Sequence, residues 1–370
     1  MNIDDRIFRA EPSDSPRRAS EDTTAITELL DTNEVPSRAI QKKKSRRTAR
    51  IVLISLGALL IVALGFAAWA WQQAQSALSS IERDPELVTY DPELPIAKIP
   101  DGKQYAPLNI VVMGSDSRGS GDAGRSDVLM IAHINADRDK MYLISFPRDM
   151  YVDIPGRGKN KINAAYAYGG PPLVVRTLQK LVGMNMDHTA VIDMEEFVMI
   201  TEVIGGVTIN NRIASQSRGY TYPKGEITMA GDKLLCYVRE RYGLPNGDLD
   251  RSERHRTVLR AIFLKLLNKD TLTNPAALQA LINNVGSYFR VDDKLTNSEM
   301  ISIAMSLNVS GGADIISLQA PIKGYGRSPA NASIDIVHEK LMAELAEAIQ
   351  NDTVAEYIER NGNTNGLTKG

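Results

Sequence analysis

The stretch "VLMIAHINADRDKMYLISF", Val128 to Phe146, decides how the chain is read. Two apolar runs rich in Ile, Val, Leu and Tyr flank the polar segment "ADRDK", a pattern that predicts two strands joined by a turn. "LNIVVMG" (Leu108 to Gly114) ahead of it reads as a further strand. Downstream, "PPLVVRTLQKLVG" (Pro171 to Gly183) reads as a helix, with proline in its first turn and glycine past its end. "DHTAVID" is again a strand, and "MEEFVMITEVIGG" a helix stopped by glycine. In "GDLDRSERHRTVLRAIFLKLLNK", Asp250 and Glu253 resemble a capping box, and Val258, Leu259, Ile262, Phe263, Leu266 and Leu267 form an apolar stripe. Thr296 and Glu299 make a second cap, "DIISLQ" a strand, and residues from about Ile334 to Gln350 a last helix. Strands alternating with helices predict an α/β domain.

The composition is that of a globular protein: 43% hydrophobic, 24% charged and a formal net charge of -2. Bulk charge therefore selects neither nucleic acid nor an acidic partner. The single cysteine, Cys236, excludes a disulfide within one chain and a cysteine-rich zinc site. Residues 51–71, "IVLISLGALLIVALGFAAWAW", carry no charge and match the roughly 30 Å of a bilayer core, so a transmembrane helix is expected there. Six Lys and Arg residues between Lys42 and Arg50 precede it and the following flank is poor in base, which places the N-terminus in the cytoplasm and the rest outside. Residues 1–50 read as a disordered cytoplasmic tail, 72–106 as a proline-rich extracytoplasmic stalk, 107–350 as a globular domain and 351–370 as a flexible tail.

Three clusters place arginine and aspartate at the ends of these elements. "GSDSRGSGDAGRSD" holds Asp116, Arg118, Arg125 and Asp127 in a glycine-rich loop between strands. Carboxylates suit Mg2+ and guanidinium forks suit phosphate, so the mixture fits a metal-assisted phosphate site better than a plain solvated loop. "SFPRDM" ends a strand on Arg148 and Asp149, with Lys159 and Lys161 close behind; alone, this is an ordinary surface ion pair. "YVRERY" puts Arg239 and Arg241 on one face if the chain is extended and apart if it is helical; Arg251 and Arg254 follow one turn apart on the next helix.

Other chemistries lack their residues. His133, His188, His255 and His338 have no metal-ligand spacing, and His133 within an apolar strand reads as a core histidine. No G-x-S-x-G and no phosphate-binding G-x-x-x-x-G-K-[ST] occurs. No helix-turn-helix pattern appears, and the basic run abuts the apolar segment, so no nucleic-acid partner is expected.

Taken in order, "GSDSR", "GRSDVLM", "SFPRDMYVDIPG", "KINAAYAYGG", "DHTAVIDMEEF" and "YVRERY" with "GDLDRSERHR" resemble the LytR-CpsA-Psr family of bacterial cell-wall enzymes over about Pro107 to Leu267. The resemblance implies a three-layer α/β/α extracytoplasmic domain with a mixed central sheet behind one membrane anchor. It implies a phosphotransferase that moves a glycopolymer from a polyprenyl-pyrophosphate carrier to a peptidoglycan hydroxyl. Mg2+, with Mn2+ as an alternative, would be held by Asp116 and Asp127. Arg118, Arg148, Lys161, Arg239, Arg241 and Arg251 would bind pyrophosphate, with Asp116, Arg148, Arg239 and Arg241 the catalytic set. Asp149 and Asp248 would orient them. The membrane, the lipid-linked glycan and peptidoglycan are the implied partners. Where the family usually carries two glutamines, this chain has His255 and Arg256. A lipid-pyrophosphate phosphatase and a non-catalytic envelope regulator or lipid-binding protein are the alternative readings.

Overall fold

The computed structural model describes residues 72, 81–87, 89–115, 126–193, 200–245, 247–266, 289–309 and 311–362. The expected transmembrane helix at 51–71 and cytoplasmic tail at 1–50 lie outside them, as do Asp116, Arg118 and Arg125. Among the described residues no helix is long and apolar enough to cross a membrane.

In chain order the strands and helices are β1 (Glu82–Asp84), β2 (Leu108–Ser115), β3 (Ser126–Ile134), β4 (Met141–Ser145), β5 (Tyr151–Ile154), β6 (Gly158–Lys161), α1 (Ala164–Val182) and β7 (His188–Asp193). They continue as β8 (Val207–Asn211), β9 (Ser215–Ser217), β10 (Tyr220–Tyr222), β11 (Gly225–Met229), α2 (Gly231–Arg239) and α3 (Asp248–Leu266). Last come β12 (Phe289–Asp292), α4 (Asn297–Ser306), β13 (Ile315–Gln319), β14 (Ile322–Arg327), β15 (Ser333–Val337), α5 (Glu339–Gln350) and α6 (Val354–Asn361).

The opening stretch forms the expected hairpin. β3 and β4 pair antiparallel from Met130↔Ser145 to Ile134↔Met141, and Asn135 closes the turn, its N–H donating to the Lys140 carbonyl at 3.1 Å. They sit in a seven-stranded mixed sheet of order β1-β12-β7-β2-β3-β4-β13. Because side chains alternate along a strand, the hairpin feeds two cores. Val111, Met113, Leu129, Ile131, Tyr142 and Ile144 pack with Val174 and Leu178 of α1 and Leu345 and Ile349 of α5. Val112, Met130, Ala132, Met141 and Leu143 pack with Leu234 and Val238 of α2 and Val258, Leu259 and Ile262 of α3. Helices on both faces of a mixed sheet give the expected three layers.

Several local expectations hold. Helix α1 bends at Gly169 and Gly170, restarts at Pro171 and Pro172, and stops at Gly183, whose φ of 74° suits a residue without Cβ. Thr296 caps α4, its hydroxyl accepting from the Glu299 N–H at 3.2 Å. His133 is a core histidine, bonded to Asn109 and Asp352.

Others are corrected. Residues 82–95 are not a free stalk: β1 joins the sheet beside β12, Leu87 is buried, and Asn185 accepts the Asp91 N–H. Asp250 is inside α3 rather than at its cap, because the helix begins at Asp248. The last expected helix starts at Glu339; Ser333–Val337, with isoleucines alternating around Asp335, is strand β15. The supposed flexible tail contains α6, which buries Val354 and Tyr357.

Candidate functional site

Strands β2, β7, β4 and β13 run in one direction, since β2 pairs parallel with β7, β4 with β13, and β3 opposes both β2 and β4. Their carboxyl ends therefore share one edge, where Ser115 faces Asp193 and Ser145 faces Gln319 in the register. Ligands of open α/β sheets bind at such edges, beyond the last ladder bonds.

The Pro-Arg-Asp motif begins at this edge. Phe146 makes the last sheet bond, its N–H donating to the Leu129 carbonyl at 2.9 Å, and Pro147 has no N–H with which to continue. A turn closes from the Met150 N–H to the Pro147 carbonyl at 2.9 Å, with Arg148 and Asp149 at its centre. The turn is held on its far side too: Asp335 donates from its N–H to the Asp149 carbonyl at 2.8 Å, and Ile162 to that of Met150 at 2.8 Å. Lys161, at the end of β6, reaches back with Nζ 2.8 Å from Asp149 Oδ1. Arg148 Nε lies 3.8 Å from Asp149 Oδ2, and the two side chains are only 15% and 17% exposed. Arg148, Asp149 and Lys161 thus form one cluster around a shared carboxylate.

The "YVRERY" segment takes both conformations weighed for it. It is helical through Arg239, the last residue of α2, and extended at Glu240, with φ -64° and ψ 133°. Tyr237 and Glu240 turn inward onto α3: Arg254 Nη1 donates to the Tyr237 carbonyl at 3.1 Å and to Glu240 Oε2 at 2.5 Å. The Arg254 guanidinium also lies 4.0 Å from the centre of the Tyr237 ring. Burial pushes the Tyr237 phenol up to about 12, and its hydroxyl donates to Asn211 Oδ1 at 3.0 Å. Arg254 is therefore a framework arginine that joins α3 to the end of α2. Arg239 and Arg241 remain half-buried on either side of this junction, and Arg251 is buried on α3.

Sequence context marks Arg256 only as a departure from the family's usual glutamine. Its Nη1 donates to Ser145 Oγ at 2.8 Å and to Gln319 Oε1 at 2.9 Å, which lays α3 across the carboxyl ends of β4 and β13. Only the position of Gln319 at the close of "DIISLQ" hinted at a polar partner, and nothing local in the sequence links it to residue 256.

A small apolar pocket of about 20 Å³ opens near the carboxyl ends of β2 and β7, lined by Val112, Met113, Gly114, Val128, Ile192, His255 and Leu259. Leu173, Val174, Val175, Leu178 and Val182 of α1 are buried in the core on the opposite face of the sheet.

For a divalent cation, the backbone places Asp127 where β2 and β3 slip register: Gly114 pairs with Val128 and Ser115 with Ser126, which makes Asp127 the extra residue of a bulge. Bulges re-aim a strand beside a site, and this one lies close in sequence to Asp116, which is outside the described residues. Asp116 and Asp127 would supply hard oxygen donors of the type that Mg2+ takes. Among the described residues no group of three or more His, Cys, Asp and Glu is arranged to hold a metal. The side chain of Asp248, like that of Asp127, lies outside what the structure describes.

Fold and edge together define an α/β protein with helices on both faces of a mixed sheet and a charged Arg148–Asp149–Lys161 cluster at its carboxyl edge. The chain belongs to the LytR_cpsA_psr family, whose model matches residues 70–351. It is 32% identical over 258 residues to the polyisoprenyl-teichoic acid–peptidoglycan teichoic acid transferase TagU of Bacillus licheniformis, covering 69% of this chain and 82% of that protein. Among solved structures it resembles TagV of B. subtilis, with a TM-score of 0.59 and 22% identity over 67% of this chain and 97% of that one. It also resembles TagT bound to LIIa-WTA, with a TM-score of 0.53 and 24% identity over 71% and 97% of the two chains.

Proposed function

We propose that the domain is a phosphotransferase that moves a glycopolymer from a polyprenyl-pyrophosphate carrier onto a sugar hydroxyl of peptidoglycan. The observation that carries this reading is the cluster of Arg148, Asp149 and Lys161 at the carboxyl edge of the sheet, two cations around one shared carboxylate. The charged head of a lipid-pyrophosphate donor is the kind of anion that such a cluster takes. The relatives' names support the glycan and the acceptor, since TagU is a transferase of teichoic acid to peptidoglycan.

In this reading Arg148, Lys161, Arg239, Arg241 and Arg251, with Arg118 from the loop, hold the pyrophosphate. Asp149 keeps Arg148 and Lys161 aimed, and Asp248 belongs to the same rim. The acceptor hydroxyl attacks the phosphorus next to the glycan. A new P–O bond forms, the P–O bond to the bridging oxygen breaks, the hydroxyl proton passes to solvent, and polyprenyl phosphate leaves with its charge already compensated by the arginines. Mg2+ held by Asp116 and Asp127 would neutralise part of the pyrophosphate charge. Residues 51–71 would anchor the chain, with the domain outside the cell.

The test is to incubate the full chain with a polyprenyl-pyrophosphate glycan and Mg2+, with and without a peptidoglycan oligomer, and to follow lipid phosphate and phosphodiester product. Acceptor-dependent release that falls by about a hundredfold or more in Arg148→Ala is expected. Release indifferent to the acceptor would mean a phosphatase, and no release in any arm would mean a binding protein.

A further inference from the structure

Arg256 is 4% exposed, yet its hydrogen bonds go to two neutral oxygens, Ser145 Oγ and Gln319 Oε1. Among the described residues no carboxylate is in ion-pair contact with it. Glu253 is the acid whose field reaches it, and that carboxylate is itself taken by Arg212 at 2.7 Å. The contrast with Arg254, two residues earlier and fully paired with Glu240, is direct. Burial lowers the Arg256 guanidinium to about 10, which still leaves it charged at neutral pH.

Folding alone does not ask for such a group. A desolvated cation without a counter-charge costs stability, and a neutral amide could satisfy the same two oxygens. Its location explains it better. Ser145 and Gln319 are register partners at the carboxyl ends of β4 and β13, and Ser145 stands three residues before Arg148. The Pro-Arg-Asp turn is thus pinned on one side by Asp335 and Ile162 and on the other by Arg256 acting through Ser145.

We infer that Arg256 is a positioning residue for the proposed transfer: it fixes the strand ends from which Arg148 projects and supplies uncompensated positive charge beneath the seat of the donor's pyrophosphate. The inference rests on the phosphotransferase reading. A charge held in a poorly solvated place acts on a neighbouring anion more strongly than one at the surface, and salt screens it less.

The test compares wild type, Arg256→Gln, Arg256→Lys and Arg148→Ala in the full chain, reading thermal stability, kcat and KM for the lipid-pyrophosphate donor at low and high salt. Arg256→Gln keeps a donor for both oxygens and removes the charge. It is expected to fold with unchanged or higher Tm while its kcat/KM for the donor falls about tenfold, mostly through KM. Arg256→Lys is expected to retain most of the activity. A folded Arg256→Gln with kcat/KM within about twofold of wild type would overturn the inference. Should Arg256→Gln fail to fold, the lysine variant decides: activity near wild type supports the role of charge, and a loss as deep as that of Arg148→Ala overturns it. Full activity in Arg148→Ala would instead sink the phosphotransferase site itself, so the two failures are distinguishable.

Discussion

Arg254 Nη1 lies 2.5 Å from Glu240 Oε2, with both side chains 4% exposed. Ser215 completes the arrangement, its hydroxyl donating to the same carboxylate oxygen at 2.7 Å while accepting from Arg254 Nη2 at 2.7 Å. Removing the acid strands a buried cation between two tyrosine rings. Glu240→Ala should therefore cost about 3–5 kcal/mol in urea unfolding. A loss below about 1 kcal/mol would show that Arg254 finds water instead and that the junction of α2 and α3 is not set by this pair.

Asp149 and Lys161 make a pair of a different kind, partly exposed and next to the candidate anion seat. Asp149→Ala should change stability by less than about 1 kcal/mol. Activity should nevertheless fall by about tenfold or more, because Arg148 and Lys161 lose the carboxylate that aims them. Parallel measurement of the unfolding midpoint and of kcat/KM checks this; a variant that unfolds early yet turns over normally would reassign Asp149 to the framework.

What could be read from the sequence follows the range of the interactions involved. The β3–β4 hairpin and the caps at Thr296 and Gly183 are local patterns and were legible as such. The carboxyl-edge position of Arg148 was legible too, because Pro147 must end a strand. The pairing of β1 with β12 joins segments some two hundred residues apart, and nothing in the proline-rich composition of residues 82–95 announces it. The roles of Arg254 and Arg256 were equally hidden: they are two positions apart in one basic run, and only the long-range partners Glu240 and Gln319 separate them. Asp335 likewise converts an expected helix start into a strand, by pairing with Met150 and bonding to Asp149.

A buried histidine gives the domain a defined pH response. His188 Nδ1 lies 3.3 Å from the Asp292 carboxylate, and its Nε2 is 3.5 Å from Glu299. Burial disfavours the charged ring, but the hydrogen bond and charge of Asp292, helped by Glu299 and Asp187, outweigh it and raise the His188 pKa. Burial alone would raise Asp292 as well, yet His188 and the N–H groups of Thr189 and Leu295 hold it below the usual carboxylate range. The histidine's contribution is complete below its ordinary pKa of about 6.5 and is lost as pH rises through its higher folded value. That of Asp292 is complete above about 3.9 and is lost as pH falls through its lower folded value. Both hold from about pH 4 to about 6.5. Urea midpoints should thus decline as pH rises above about 6.5 in wild type and much less in His188→Gln. Identical profiles would show that the pair does not titrate with folding.

The C-terminal segment should prove part of the folded domain rather than an appendage. Asp352 adopts φ 59°, a conformation that costs energy for a residue with a Cβ, and its carboxylate takes two bonds in return. Oδ1 lies 3.0 Å from His133 Nε2 in the centre of the sheet, and Oδ2 accepts the Ala136 N–H at 2.9 Å. Beyond it α6 buries Val354 and Tyr357, and burial pushes the tyrosine phenol up to about 12. Tyr357→Ala leaves a cavity against α5 and should cost about 3 kcal/mol or more. Deleting residues 351–370 removes both anchors together and should cost at least as much, while leaving His133 buried without its second partner. Urea unfolding of the two variants beside wild type measures this directly, and a truncated chain with an unchanged midpoint would show that α6 merely rests on the domain.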